Sequence, residues 1–242
     1  MMRSQYRNVR RAVNQRVYSP VSTAPTYSQN RVDGAGTRYL TKGSALDSVA
    51  DSNVLTFSCW AKRNAHSVAS NLLWGQTATV TKMLVQVTAT NKFRIRFVNL
   101  DTTVLDFSTV ATYPDTNWRY YKVVVDLGAE TTDLTVDGTT ESFGIGTLTA
   151  FDFTLATTWQ IMAGLNGTTV FNGAIADMIF NNTILNDAAL AYNGGVPLDP
   201  TGVAAAINVS GQNAASFAAG TANANGSGGA FTQAGSGSWT DV

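Results

Sequence analysis

The chain carries one histidine, His66, and one cysteine, Cys59, and these two residues bound the nucleophilic chemistry it could perform. Any Ser-His-Asp or Cys-His arrangement has to use His66 as its base. His66 lies in the polar stretch RNAHSVAS between two apolar alternating segments, where a surface-loop side chain is the ordinary outcome. Cys59 alternates with Leu55 and Phe57, which places it on a buried strand face as a small inert hydrophobe. A lone cysteine also excludes an intrachain disulfide and a cysteine-built zinc site. Glycoside hydrolysis needs two carboxyl groups held across the bond to be cut. Glu130 and Glu141 are the only glutamates, and no strand carries two carboxylates on one face. Asp133 and Asp137 belong to DLTVDG, a hairpin start in which aspartate favours the turn itself. Neither GIGTLTA from Gly144 nor GSGGAF from Gly226 matches a phosphate-cradling glycine loop, and no calcium-loop spacing is present. The expectation is a protein that is not an enzyme, with no metal site and no cofactor.

What the chain concentrates is arginine at its front. Residues 1–42 hold eight of the sixteen cations and a single acid, Asp33, whereas beyond Lys122 there is no lysine or arginine and ten acids remain. A net charge of zero therefore hides a basic front and an acidic rear, an asymmetry that speaks to association. In a helix, Arg3, Arg7, Arg10 and Arg11 would share one face beside Tyr6, Val9, Val13 and Val17. Such a helix, reaching Tyr18, is too short to be stable alone and would order against a partner or the body. Arg3, Tyr6, Arg7, Arg10, Arg11, Arg16 and Tyr18 are thus the candidate assembly residues. Charge alone fits docking onto an acidic protein surface and contact with nucleic-acid phosphates equally, although aromatic residues are not interleaved as single-strand stacking requires. The N-terminus lacks the apolar core of a secretory signal, so export by that route is not expected. Its acid-free, arginine-rich character also fits an organellar presequence.

These residues must be carried by a body of suitable class. At 242 residues and 44% hydrophobic content there is enough chain for a sizeable core. Only 13% of residues are charged, against roughly a quarter in an average soluble domain, with Thr, Ala, Gly, Asn and Ser supplying much of the polarity. Three zones follow: a basic arm over 1–32, a body over 33–198, and a low-complexity Ala/Gly/Asn/Ser/Thr tail over 199–242. In the body the period is two. Leu55, Phe57 and Cys59 alternate with Thr56, Ser58 and Trp60; Met83, Val85 and Val87 with Leu84, Gln86 and Thr88; Phe93, Ile95 and Phe97 with Arg94, Arg96 and Val98. Each of these predicts a strand with one buried face. Residues 118–127 and 174–180 alternate less cleanly and predict strands covered on both faces. Asp33-Gly34, Asp137-Gly138, Asn166-Gly167, Asn172-Gly173 and Asn193-Gly194 supply turns. One short helix is predicted over 186–192, between Asn186 and Asn193-Gly194. The tail holds Phe217, Phe231 and Trp239, more aromatics than a linker requires, so it should wrap the body or a neighbour. The charge-free stretches are studded with Thr, Asn and Gly and cannot form a membrane helix, so no membrane partner is expected. The pattern as a whole predicts an all-β protein, a sandwich or barrel.

The order of VLTFSCWAKR (54–63), LLWG (72–75), NWRYYKVVVD (117–126), LTVDG (134–138), IMAG (161–164) and FNGAIADMIFNNTILNDAALAYNGG (171–195) resembles the concanavalin A-like, laminin-G-like jelly roll. Trp60, Trp118, Asp137, Gly138, Gly173 and Asp177 stand at the places that carry the resemblance. It implies an antiparallel two-sheet β-sandwich with neighbouring termini, a fold used for glycan binding, adhesion and structural display. The paired-glutamate strand of the laminarinase-like enzymes is missing. RVDGAGTRYLTKGSAL and the glycine-rich ending GSGGAFTQAGSGSWTDV resemble laminin-G-like proteins of tailed-bacteriophage particles. The implied role is a non-enzymatic virion structural protein on head, neck or tail, attached through its basic arm to other virion proteins and present in repeated copies or as a homo-oligomer. Nucleic acid comes second as a partner. The alternative is a lectin-like module that recognises a host polysaccharide, with Trp74, Tyr113 and Trp159 as candidate rings for stacking on sugar faces.

Overall fold

A computed structural model describes residues 32–34, 38–77, 82–99, 102–144, 157–164, 167–186, 190, 192–193, 196–197, 202–210, 212 and 214–241. The strands are β1 (Val32–Gly34), β2 (Tyr39–Lys42), β3 (Val54–Arg63), β4 (Ser70–Gln76), β5 (Lys82–Val87), β6 (Phe93–Asn99), β7 (Thr102–Ser108), β8 (Arg119–Asp126) and β9 (Thr131–Val136). They continue with β10 (Thr139–Gly144), β11 (Thr158–Ile161), β12 (Gly173–Asn181), β13 (Tyr192–Asn193), β14 (Val196–Pro197), β15 (Ile207–Asn208), β16 (Thr232–Ala234) and β17 (Trp239–Asp241). One helix, α1 (Ala214–Ala219), is present among the described residues. Two antiparallel sheets face each other, in the orders β10-β9-β8-β3-β12-β1-β17, with β15 also on β12, and β16-β2-β11-β4-β5-β6-β7. Val32 lies opposite Asp241, so the first and last strands of the body are neighbours. The expected all-β, two-sheet sandwich is the observed architecture. No helix among the described residues is long and apolar enough to cross a membrane.

Alternation fills the space between the sheets. Leu55, Phe57, Cys59 and Ala61 of β3 meet Tyr121, Val123 and Val125 of β8, while Met83, Val85, Phe93, Ile95 and Phe97 close the core from the second sheet. Two expectations about coverage exchange places. β3, predicted to have one buried face, is buried on both: Thr56, Ser58 and Trp60 are each 2% exposed or less. The reason is an outer layer that local patterning cannot see. Leu190 and Ala205, with Leu185 and Val203, pack on Ile179 of β12, and Trp60, Trp118, Tyr120, Ala174 and Ala176 form an aromatic cluster on the outside of the same sheet. The Trp60 and Tyr120 rings stand 5.4 Å apart and tilted, a geometry worth about 1 kcal/mol beyond the area buried. β8, predicted to be covered on both faces, instead alternates beyond Tyr121. β12 is covered on both, as expected.

Turn chemistry holds at Asp137-Gly138, where both residues have positive φ, 50° and 80°, and join β9 to β10. It does not hold at Asp33-Gly34, which lies within β1, because pairing with both β12 and β17 overrides the local preference. Asn172-Gly173 opens β12 rather than reversing the chain. Gly173 is required there by close approach: a Cβ would lie 2.0 Å from the Lys62 carbonyl oxygen. The helix predicted over 186–192 falls partly outside the described residues, and Tyr192 belongs to β13.

The segment after 199 contributes to both sheets. β15 and β17 join the first, β16 extends the second, and Ile207, Val209, Phe217, Phe231 and Trp239 are core residues. The Asp241 carboxylate accepts a hydrogen bond from the Ala214 amide, pinning α1 to β17, and the Phe217 and Trp239 rings meet at 4.9 Å. The candidate assembly residues Arg3, Tyr6, Arg7, Arg10, Arg11, Arg16 and Tyr18 lie outside the described residues.

Candidate functional site

The register of the second sheet aligns one outward row across seven strands. Leu40, Ile161, Leu73, Val85, Ile95 and Leu105 belong to the core, so alternation turns their neighbours outward. Thr232, Thr41, Gln160, Trp74, Leu84, Arg96 and Asp106 follow one another as direct cross-strand partners. Gln86 and Arg94 stand side by side in the next row. Trp74 is half-buried and flanked by Gln76, Gln86 and Gln160, which are 6%, 7% and 3% exposed. Arg94 grips Asp106 with two nitrogens, Nε to Oδ1 at 2.6 Å and Nη2 to Oδ2, and Arg96 approaches the same carboxylate at 3.7 Å. The face is thus an aromatic ring set among carboxamides beside a fixed charge cluster. The indole Nε1 of Trp74 and Oε1 of Gln76 are shielded from water and have no hydrogen-bond partner.

Tyr113 occupies a different place, the loop between β7 and β8. Arg63, 3% exposed, donates to Asn91 Oδ1 at 3.2 Å and to the Tyr113 carbonyl at 2.6 Å. The Ser67 amide donates to the same Asn91 oxygen, and the Tyr113 amide donates to the Asn91 carbonyl. Three loops are thereby locked together. The Arg119 guanidinium lies 5.4 Å from the Tyr113 ring centroid and is bonded to both Asp115 and Asp137. One ring face is covered by this cation, and the ring packs on the core, so Tyr113 serves as a loop anchor. Burial, then the Glu141 and Asp137 carboxylates, push its hydroxyl up to about 12. At Asp115 burial opposes ionisation, but hydrogen bonds from Arg119 and the Asn117 amide hold the carboxyl below its usual value. A carboxyl depressed by folding stabilises above the unfolded carboxylate range, and that contribution is lost as pH falls through the lowered value. Urea midpoints measured at pH 7 and pH 3 should therefore differ more for the wild type than for Arg119→Met. That variant should itself cost about 2 kcal/mol at neutral pH, discounted for partial exposure.

Trp159 is not available to a ligand: it is fully buried against Phe180 at 5.5 Å, in a slot opened by Gly75, where a Cβ would lie 2.8 Å from the indole. A ring without an exposed face cannot stack on a sugar; of the three candidate rings, Trp74 lies on the outward face of a sheet. The glutamines and the Arg94–Asp106–Arg96 group, neighbours of Trp74 on this face, were not singled out from the sequence. The signal for them was present in the polar partners of β5 and β6, Gln86, Arg94 and Arg96, which alternate with core positions.

The residues weighed for catalysis are dispersed. His66 is exposed in the β3–β4 loop, its Nδ1 3.1 Å from the Ser67 hydroxyl. Glu141 accepts the Val110 and Ala111 amides and so holds the β7–β8 loop. Asp137 accepts Arg119 and the Tyr120 amide. Cys59 is buried, and burial, with the Asp177 carboxylate adding to it, pushes the thiol well up. Among the described residues no group of three His, Cys, Asp or Glu side chains converges as a metal-ligand set.

A solved structure of a candidate carbohydrate-binding protein from Bacteroides ovatus superposes with a TM-score of 0.62 at 11% identity, covering 89% of this chain and 60% of that one. Domains LG4-5 of the mouse laminin alpha1 chain superpose at 0.50 and 16% identity, covering 68% of this chain and 45% of that one. At such identities the likeness is one of fold, and the chain spans about half the length of these two structures. No curated protein matches the sequence. The laminin-G-type family model of the concanavalin A-like lectin/glucanases superfamily matches residues 33–191. With most of the chain matched, and a two-sheet antiparallel sandwich beneath the match, the chain belongs to the concanavalin A-like lectin/glucanases superfamily.

Proposed function

We propose that the protein is a non-catalytic carbohydrate-binding module whose ligand lies on the outward face of the second sheet, across Trp74. The observation that carries this reading is a half-buried indole on an outward sheet face, bordered by the Gln76, Gln86 and Gln160 carboxamides and the Arg94–Asp106–Arg96 group. A pyranose offers an apolar ring face for the indole and hydroxyl groups for the polar side chains around it. The expected ligand is a polysaccharide of a cell surface. Trp74→Ala should abolish retention on immobilised polysaccharides while leaving the circular dichroism spectrum and melting temperature close to those of the wild type. Binding that survives this substitution would overturn the assignment of the face, and silence of the wild type across a broad glycan array would overturn the function.

A second reading is favoured by the segregated charge. Eight cations within residues 1–42, against none beyond Lys122, suit an arm that latches onto neighbouring subunits of a virus particle, with the sandwich displayed outside. The two readings are compatible, since a displayed module can bind a host glycan. Deleting residues 1–31 should leave a folded body that no longer enters particles, and undiminished incorporation would refute the latch.

A further inference from the structure

The first sheet carries a groove of its own. It lies beyond the end of β12 and is lined by Asn181, Ala204, Ala205, Asn225, Gly226 and Ser227, with a volume of about 520 Å³, inside the roughly 300–1,000 Å³ range of ligand sites. We propose that this groove is a second binding site, for a neutral polyhydroxylated ligand, independent of the face around Trp74.

Hydrogen bonds made within the protein decide which atoms remain for a ligand. Asn181 donates through Nδ2 to Thr183 Oγ1 at 2.7 Å, and Asn225 donates through Nδ2 to the Ser210 carbonyl at 2.8 Å. The Ser227 hydroxyl and amide both donate to the Ala205 carbonyl, at 3.3 and 2.9 Å. Each carboxamide keeps its Oδ1 and the second N–H of its Nδ2, and Ser227 Oγ keeps its lone pairs, as neutral polar groups at the groove. No charged residue lines it. Neutral donors and acceptors together, with no charged side chain to compensate a phosphate, sulfate or carboxylate, match a ligand that brings several hydroxyl groups. The exposed Ala204 methyl group supplies an apolar contact for a C–H face.

The groove is held firmly by its floor. Asn223, 3% exposed, accepts the Asn208 amide on Oδ1 and donates through Nδ2 to the Ala206 and Gly229 carbonyls. This one side chain fixes the 223–229 loop against β15, and the Gly226 amide closes the turn on the Asn223 carbonyl at 3.0 Å. The acceptors are therefore in place before a ligand arrives, so binding does not require the loop to be ordered.

The test is a titration of the full-length ¹⁵N-labelled chain with neutral linear hexasaccharides of glucose, mannose and xylose, read in two-dimensional NMR spectra. At least one should move the side-chain amide signals of Asn181 and Asn225, with an affinity insensitive to added salt. Ala204→Trp, which fills the groove from an exposed position, should weaken that response at least about tenfold without touching the signals near Trp74, and Trp74→Ala should do the converse. Ser227→Ala, a milder change, checks that the loss is local. Shifts confined to the Trp74 face, or a groove response unchanged in Ala204→Trp, would overturn the inference and leave the proposed function standing. Shifts at the groove alone would sustain it while removing the sheet-face reading. No shift with any of the sugars would remove the groove site.

Discussion

A chain ending at residue 198 is expected not to fold. The removed segment holds β15, α1, β16 and β17 and takes Ile207, Val209, Phe217, Phe231 and Trp239 out of the core. At roughly 1.5–3 kcal/mol for each buried side chain the loss is about 10 kcal/mol, comparable with the whole stability of an ordinary domain. It also leaves β2 without its β16 partner and β1 without β17, two newly exposed strand edges prone to association. The truncated chain should appear in the insoluble fraction, or give a spectrum without the dispersion of a packed core. A soluble, cooperatively melting 1–198 fragment would show that the C-terminal segment is an accessory to the sandwich.

Trp159→Ala is expected to lower stability by about 4 kcal/mol, the cost of emptying a large fully buried aromatic site, and to lower the melting temperature by roughly 10 °C for a domain of this size. Polysaccharide binding measured below the transition should be unchanged, because the ring has no exposed surface. Trp159→Phe should cost much less. It keeps an aromatic ring against Phe180, and it removes an indole N–H that is buried without a partner. Unaltered stability with lost binding would return Trp159 to the ligand.

The strands of the body were legible because alternation survives wherever one face meets water: β5 and β6 can be read almost residue by residue. The sandwich class followed from those strands and their turns. The outer layer on the first sheet was not legible. Thr56, Ser58 and Trp60 look like a solvent face from their own strand, and they are buried by tertiary placement: residues 183–185, 190 and 203–205 cover one end of that face, and Trp118, Tyr120, Ala174 and Ala176 pack around Trp60. The C-terminal segment was legible only as one that packs: Phe217, Phe231 and Trp239 pointed to wrapping of the body or a neighbour, whereas its strands carry no alternation to read. Small residues permit close packing there, and Asn223 and Asn208 supply through side chains the backbone partners that regular strands would provide. Trp74 and Trp159 are the same residue type on neighbouring strands. Sequence alone could not separate them, because their opposite orientations come from the register of β4 against β11, Trp74 opposite Gln160 and Gly75 opposite Trp159.

The pairing of β1 with both β12 and β17 has a consequence for how the molecule is made. Residues 32–34 leave the ribosome early, but their hydrogen-bonding partners are residues 173–175 on one side and 239–241 on the other. That border of the sheet cannot zip until residues 239–241 have been made, and a nascent chain carries an open seam until then. Ring closure over such a span is slow, so newly made copies pass through a vulnerable interval in which capture by a chaperone, or by the wrong copy, competes with completion.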